Sequence, residues 1–135
     1  MTSSRNYSFI VFILFLLGVI SSCHDTTYVQ GKRMYDFWCA NCHMEDGTGL
    51  VKVNPPVAQS DWLEQNQSML PCLIRNGAND TMVVNGVIYH HEMIAFPQLS
   101  DIEITNIINY MNHAWGNNYG ERNINEVKAW LKVCE

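Results

Sequence analysis

The sequence predicts a small all-α domain that carries one short β-hairpin. An apolar stripe at helical spacing indicates an amphipathic helix, and its members are Ile104, Ile107, Ile108 and Met111. The only strand-like pattern is a pair of β-prone runs around Asn85-Gly86, which is a hairpin signal but too small to form a sheet domain. With 135 residues, the chain supports one domain.

The first predicted helix spans about residues 28–38. Gly31, Tyr35 and Trp38 fall at i, i+4 and i+7, so they share one face of that helix. Glycine costs helix stability, and its presence in a helix usually has a packing reason. Gly31 therefore predicts that another helix approaches closely at this point.

Two short helices and the hairpin are predicted in the middle of the chain. Ser60 is a cap-like residue at the start of the first helix. Gly77 is a stop signal after the second helix, which should span residues 67–76. The hairpin should cover residues 81–89.

Two capped helices are predicted towards the C-terminus. Ser100 and Glu103 form a capping box, which predicts a helix over residues 101–114. Asn123 and Glu126 form a similar pair at the start of a last helix.

The strongest chemical signal is Cys39-Ala40-Asn41-Cys42-His43, because C-x-x-C-H is the attachment signature of a c-type haem. The two thiols add to the two vinyl groups of one porphyrin, and the adjoining His43 supplies an axial imidazole to the iron. A zinc site would need four ligands, and the sequence has no second C-x-x-C or H-x₃₋₅-H pair. A thioredoxin-like pair would follow a strand in a βαβ pattern, which is absent. We therefore predict one covalently attached haem.

The N-terminal residues 1–22 have the pattern of a signal peptide. Arg5 precedes an apolar run over residues 9–20, which is too short to span a bilayer as a helix and suits an h-region. An uncleaved membrane anchor is the alternative.

The end of this segment, Ile20-Ser21-Ser22-Cys23, resembles the lipobox of bacterial lipoproteins, in which the Cys becomes the lipidated N-terminus. We therefore expect a lipidated Cys23, a short tether over residues 23–27 and a domain over residues 28–135. The lipid would hold the protein on the periplasmic side of a bacterial membrane. Ordinary cleavage that leaves Cys23 as a thiol is the alternative.

Five cysteines are present, and haem attachment and lipidation together use three of them. Cys72 and Cys134 are left over. An exported compartment is oxidising, so a disulfide between them is expected. Two buried, unpaired thiols are the alternative.

The mature chain is acidic. The sequence contains 8 Lys and Arg against 13 Asp and Glu, and the loss of Arg5 with the signal peptide changes the net charge from −5 to −6. Nucleic-acid binding requires a basic face, so no nucleic-acid partner is expected. The acidity favours a protein partner with a positive patch, although it also serves solubility.

The mature chain resembles the class I monohaem cytochromes c. Gly31-x-x-x-Tyr35 leading into the C-x-x-C-H motif is similar to the family's N-terminal helix, and Asp46-Gly47-x-Gly49 is similar to the loop that follows. Met93-x-x-Phe96-Pro97 and Ile107-Ile108-Asn109-Tyr110 are similar to the Met-ligand loop and the C-terminal helix. The tail Ala114-Trp115-Gly116-Asn117 continues into a further helix, and this ending resembles cytochrome domains attached to respiratory alcohol dehydrogenases, copper nitrite reductases and terminal oxidases.

This resemblance implies a fold and a ligand set. The fold is a helical bundle around the haem, in which the N- and C-terminal helices cross with a small residue against an aromatic, so Gly31 should pack against Tyr110. Met93 should be the sixth iron ligand. The carbonyl of Pro55 should accept the other N–H of the axial imidazole, although the adjacent Pro56 leaves this register open by one residue.

Other side chains compete with Met93 for the sixth position. Imidazole binds haem iron strongly, so His90 or His91 would give a bis-His site of lower potential. Met69 and Met82 are further alternatives.

The function that the resemblance implies is single-electron transfer to and from an oxidase, reductase or dehydrogenase, without substrate chemistry. His/Met ligation leaves no open iron position, and a thioether ligand raises the reduction potential. Two alternatives belong to other classes. One is a haem-bearing subunit of a larger membrane oxidoreductase, and the other is a haem enzyme or gas sensor whose sixth ligand detaches.

Overall fold

The structure, a computed structural model, describes residues 28–134. Its helices, in chain order, are α1 (Val29–Trp38), α2 (Ala40–His43), α3 (Asp61–Gln65), α4 (Leu70–Asn76), α5 (Asp101–His113) and α6 (Ile124–Leu131). Strands β1 (Met82–Val84) and β2 (Val87–Tyr89) lie between α4 and α5. This order confirms the predicted all-α class with its single hairpin. The predicted signal peptide and Cys23 lie outside the described residues.

The crossing of α1 and α5 forms the centre of the fold. A Cβ atom placed on Gly31 would overlap the carbonyl oxygen of Asn106 and lie 2.8 Å from the Cβ of Tyr110. The predicted contact between Gly31 and Tyr110 is therefore present, and it brings two helix backbones together. The apolar stripe of α5 is buried as predicted, since Ile104, Ile107 and Ile108 are fully inaccessible.

One aromatic cluster extends this crossing towards the haem motif. Tyr35 is fully buried, and its ring centre lies 5.4 Å from that of Tyr110 and 4.9 Å from that of Trp115. Its hydroxyl donates a hydrogen bond to the carbonyl of Met44 at 2.8 Å. Tyr35 thus links the helix crossing to the residue that directly follows His43.

Two predicted helix boundaries were wrong. The helix expected over residues 67–76 begins only at Leu70, because Pro71 lies in its first turn, where its missing N–H is not needed. The helix expected to end at residue 114 ends at His113, since Ala114 is in an extended conformation.

The caps and the hairpin match the sequence. Ser100 with Glu103 and Asn123 with Glu126 both form complete capping boxes. The hairpin pairs Met82 with Tyr89 in an antiparallel register.

A buried polar network holds the connection between α5 and α6. Asn112 is fully buried, exchanges two hydrogen bonds with the side chain of Gln67 and donates a further one to the carbonyl of Gly120. Arg122 also donates to Gln67, at 3.1 Å. Buried amides of this kind are stable only when their donors and acceptors are paired.

The structure places the sulfur atoms of Cys72 and Cys134 at disulfide distance, which joins α4 to the segment after α6. Val127 on α6 is fully buried. The C-terminal helix is therefore part of the domain. None of the helices among residues 28–134 is long and apolar enough to cross a membrane.

Replacing Gly31 with Ala should destabilise the folded protein. The added Cβ would meet backbone atoms of Asn106, which cannot rotate away, so the clash should cost about 2–3 kcal/mol or more. This cost exceeds the roughly 1 kcal/mol that Ala gains over Gly in a helix. Urea unfolding of the haem-loaded protein measures this loss. The matched control is Gln30→Ala, an exposed neighbour on the same helix, which should change stability by no more than about 0.5 kcal/mol. A Gly31→Ala variant as stable as the wild type would contradict the close crossing.

Loss of the Cys72–Cys134 bridge should lower the free energy of unfolding by ~4 kcal/mol, because the cysteines are 62 positions apart and the bridge restricts a long loop in the unfolded chain. Cys72→Ser and Cys134→Ser should show equal losses in urea unfolding. A thiol reductant should bring the wild type down to the same level. A wild-type unfolding midpoint that the reductant does not move would exclude the bridge.

Candidate haem site

One apolar cavity lies between the haem motif and the loop before α5. Its volume is about 200 Å³, more than ten times the roughly 10–15 Å³ that one water molecule requires. The apolar side chains that line it include Trp38, Leu63, Leu70, Ile74, Phe96 and Ile107. These residues come from four helices and from the loop before α5, so the whole fold encloses this space.

The motif residues lie on this cavity. Cys39 ends α1, and Cys42 and His43 belong to the single turn of α2. The N–H of His43 donates to the carbonyl of Cys39 at 2.9 Å, which fixes the turn and places all three side chains in the cavity lining. Neither Cys39 nor Cys42 is paired with another cysteine among the described residues.

The two motif thiols differ in their exposure. Cys39 is buried and Cys42 is exposed. Burial raises the pKa of the Cys39 thiol to about 12, and the nearby Cys42 contributes further. One attachment point is therefore inside the protein and the other is at its surface.

The imidazole of His43 is oriented by a backbone carbonyl. Its Nδ1 lies 2.9 Å from the carbonyl oxygen of Pro55. A carbonyl can only accept, so Nδ1 carries the proton and Nε2 is free to bind a metal. Burial lowers the pKa of His43, against the opposing effect of the Pro55 hydrogen bond, and the ring is thereby kept neutral. The structure assigns this contact to Pro55 rather than Pro56.

Gly49 makes room for this carbonyl. It has a φ of +65°, and a Cβ at this position would lie 2.6 Å from the oxygen of Pro55. The second glycine of Asp46-Gly47-x-Gly49 is thus required both by the backbone conformation and by the close approach of Pro55.

Met93 lines the cavity and is held there by its backbone. Its N–H and C=O pair with Ala78 at 2.8 and 2.9 Å in an isolated antiparallel bridge. Gly77, which has a φ of +74°, packs directly against the Met93 carbonyl. Backbone hydrogen bonds therefore help to hold Met93 at the cavity.

The structure separates the rivals of Met93 into two groups. His90 is hydrogen-bonded to Thr81 and does not line the cavity, and Met69 is exposed and also does not line it. Met82 and His91 do line it. His91 is exposed, and its Nδ1 lies 3.0 Å from the carbonyl oxygen of Glu92.

Sequence reasoning missed Asn117, which is buried next to the segment that carries Pro55. Its side chain bonds to the backbone of Val57, Gln59 and Met111. Asn117 belongs to the Ala114–Asn117 tail motif, but its hydrogen-bonding role could not be found from the sequence, because two of its partners are about 60 positions away. A polar residue that is buried just after a helix is recognisable only in the folded chain.

The donor set and the cavity fit a covalently bound haem. Two unpaired thiols, a neutral imidazole and a thioether line one apolar space. No group of three or more His, Cys, Asp or Glu in residues 28–134 could hold a metal ion such as zinc.

Comparison with known proteins agrees with this geometry, since residues 28–115 match the family model described as cytochrome c. The chain belongs to the cytochrome c family. Like other cytochromes c, it binds haem c covalently and carries electrons, and it is not an enzyme.

Two relatives are similar to this cytochrome c over about two thirds of its chain. Cytochrome c-552 of Thermus thermophilus is 32% identical over 91 residues, which are 64% of this chain and 69% of the relative. The cytochrome c subunit of the quinone alcohol dehydrogenase of Gluconobacter oxydans is 30% identical over 92 residues, which are 65% of this chain but only 19% of that subunit. The similarity thus covers about a fifth of the longer protein.

Proposed function

We propose that this cytochrome c is a single-electron carrier of a periplasmic respiratory chain, with its haem attached to Cys39 and Cys42 and its iron bound by His43 and Met93. The observation that carries the proposal is that these four side chains line the same apolar cavity. When bound, the haem supplies a one-electron iron couple.

The ligands on this chain suit a carrier of relatively high potential. A thioether ligand such as Met93 favours the reduced iron. The Pro55 hydrogen bond holds the His43 ring in one tautomer and one orientation. If His43 and Met93 both bind the iron as proposed, the site would offer no iron position to a substrate.

The surroundings of the ligands support the same function. Phe96 and Leu63 are buried in the cavity wall and keep water away from the site. Cys42, in contrast, is exposed, and so is Ile94 in the cavity lining. This exposed edge is where electrons would enter and leave, because a redox partner can approach it without any change in the fold.

A location outside the cytoplasm is part of the proposal. The Cys72–Cys134 pair at disulfide distance favours an oxidising compartment. The lipobox-like Ile20-Ser21-Ser22-Cys23 supports lipid attachment at Cys23 and hence a position at the periplasmic face of a membrane.

A second candidate function is that of the haem-bearing subunit of a larger membrane oxidoreductase. It is favoured by the similarity to a cytochrome c subunit of a quinone alcohol dehydrogenase. In both functions the redox partner is another protein, and the haem site performs the same electron transfer.

Met93→Ala should abolish the weak far-red absorption band that a sulfur-to-iron bond gives in the ferric protein, and the reduction potential should fall. The test compares spectra of wild-type and variant holoprotein after expression with a haem-maturation system. The matched control is Met69→Ala, which removes an exposed thioether outside the cavity and should keep the band.

Two results would contradict Met93 as the ligand. Loss of the band in Met82→Ala, with Met93→Ala unchanged, would make Met82 the ligand. Absence of the band from the wild type would exclude a thioether ligand and leave His91 or an open position.

Lipid attachment at Cys23 should be visible as incorporation of radiolabelled palmitate in growing bacteria. The wild type should be labelled and Cys23→Ala should not, because no other site on the chain is predicted to be acylated. Thr27→Ala, a change in the proposed tether, is the control and should be labelled like the wild type. Equal labelling of the Cys23→Ala variant would refute the lipobox assignment.

A further inference from the structure

The carbonyl of Pro55 lies between Asn54, which pairs with Leu50 in an isolated antiparallel bridge, and residues 56–59, which take part in no bridge. The chain there is neither helix nor strand. The rings of Pro55 and Pro56 fix φ at both residues, so the backbone from Pro55 to Val57 is stiff. Whatever fixes Val57 therefore also fixes the carbonyl that orients His43.

Val57 is held from both sides. Its N–H donates to the carbonyl of Gly47 at 2.8 Å. Its own carbonyl accepts a hydrogen bond from Nδ2 of Asn117 at 3.0 Å. Both partners lie outside residues 55–59.

Asn117 uses every polar atom of its side chain in this task. Nδ2 donates to the carbonyls of Val57 and Met111, and Oδ1 accepts from the N–H of Gln59 at 2.6 Å. The residue is 6% exposed, so water cannot replace these bonds easily. One amide thus ties both ends of the Val57–Gln59 segment to the end of α5.

Trp115 holds the other partner of Val57. A Cβ on Gly47 would lie 2.7 Å from the Trp115 ring, so the ring packs directly on Gly47. The indole Nε1 donates to the carbonyl of Glu45 at 3.0 Å. The loop after His43 is therefore fixed by Trp115 while the Pro55 segment is fixed by Asn117, two positions further along the chain.

The geometry points to Asn117 as a positioning residue for the His43 imidazole, acting through Val57 and the Pro55 carbonyl, with Trp115 as its partner. This assignment rests on the proposed role of His43 as an iron ligand. Asn117 lies beyond residue 115, where the match to the family model ends, so the assignment comes from the structure of this chain alone. Asn117 does not line the cavity and acts only through the backbone.

The test measures hydrogen exchange of the His43 Nδ1–H by NMR in the reduced holoprotein, relative to the backbone amide of Ile107 in α5. Asn117→Ala should speed exchange at His43 roughly tenfold against this reference, because it removes the bonds that keep the Pro55 carbonyl in place. The matched control is Asn112→Ala. Asn112 is also a fully hydrogen-bonded, buried amide on the same part of the chain, but its side chain contacts Gln67 and Gly120 rather than residues 55–59.

The assignment is supported if exchange of the His43 Nδ1–H, relative to the Ile107 amide, is faster in Asn117→Ala but not in Asn112→Ala. Equal exchange ratios in the two variants would overturn it, because a purely structural role predicts that both variants loosen the protein alike. If Asn117→Ala does not yield holoprotein, Trp115→Phe decides, since it removes the Nε1–H bond to Glu45 and leaves a smaller ring in less contact with Gly47. It should speed exchange at His43 in the same direction, and no change would overturn the assignment.

Failure of the proposed function would look different. If His43 is not an iron ligand, the ring protons of the wild type will lack the large shifts that a ligand of haem iron shows. In that case the positioning role fails together with the proposed function, because it rests on His43 as an iron ligand. If the wild type shows these shifts and Asn117→Ala matches Asn112→Ala, only the positioning role is refuted.

Discussion

The close approach of α1 and α5 at Gly31 is the constraint on which the rest of the structure depends. There is no space for a side chain between the two helices, so their distance and crossing are fixed by backbone contact. Tyr35 lies one turn further along α1 and is buried against Tyr110 of α5. Cys39 follows after another turn. The crossing therefore determines where the haem motif begins relative to the apolar stripe of α5, which forms part of the cavity wall.

The two sides of the site are positioned by different means. Cys39, Cys42 and His43 are placed by regular helical structure, with the Tyr35 hydroxyl securing the residue that follows. The loop that carries Met93 is not helical. It is held by an isolated antiparallel bridge between Met93 and Ala78. If Met93 is the sixth ligand as proposed, both the motif and the ligand would be held by backbone hydrogen bonds, and little would have to move when the iron changes its charge.

The parts of the fold and site that the sequence predicts are those determined by local interactions. The capping boxes at Ser100 and Asn123, the hairpin at Asn85-Gly86 and the C-x-x-C-H motif all depend on residues within seven positions of one another. The predicted start of α4 was wrong because proline is favoured in the first turn of a helix. Pro71 therefore places the start at Leu70 rather than at Gln67. Asn117 and the buried Asn112 could not be predicted, since a buried amide is defined by partners that are distant in the sequence. Pro55 and Pro56 were indistinguishable for the same reason, and only the folded backbone shows which carbonyl faces His43.

The segment after residue 115 contributes more than additional length. Asn117 is bound to the loop beside the haem motif, the Gln67–Asn112–Arg122 network holds the connection to α6, and Cys134 lies at disulfide distance from Cys72 on α4. These attachments join the C-terminal segment both to the loop that carries Pro55 and to α4. If His43 binds the iron as proposed, its hydrogen bond to Pro55 would affect how strongly the imidazole donates to iron, and Asn117 would couple this C-terminal segment to the electronic properties of the haem.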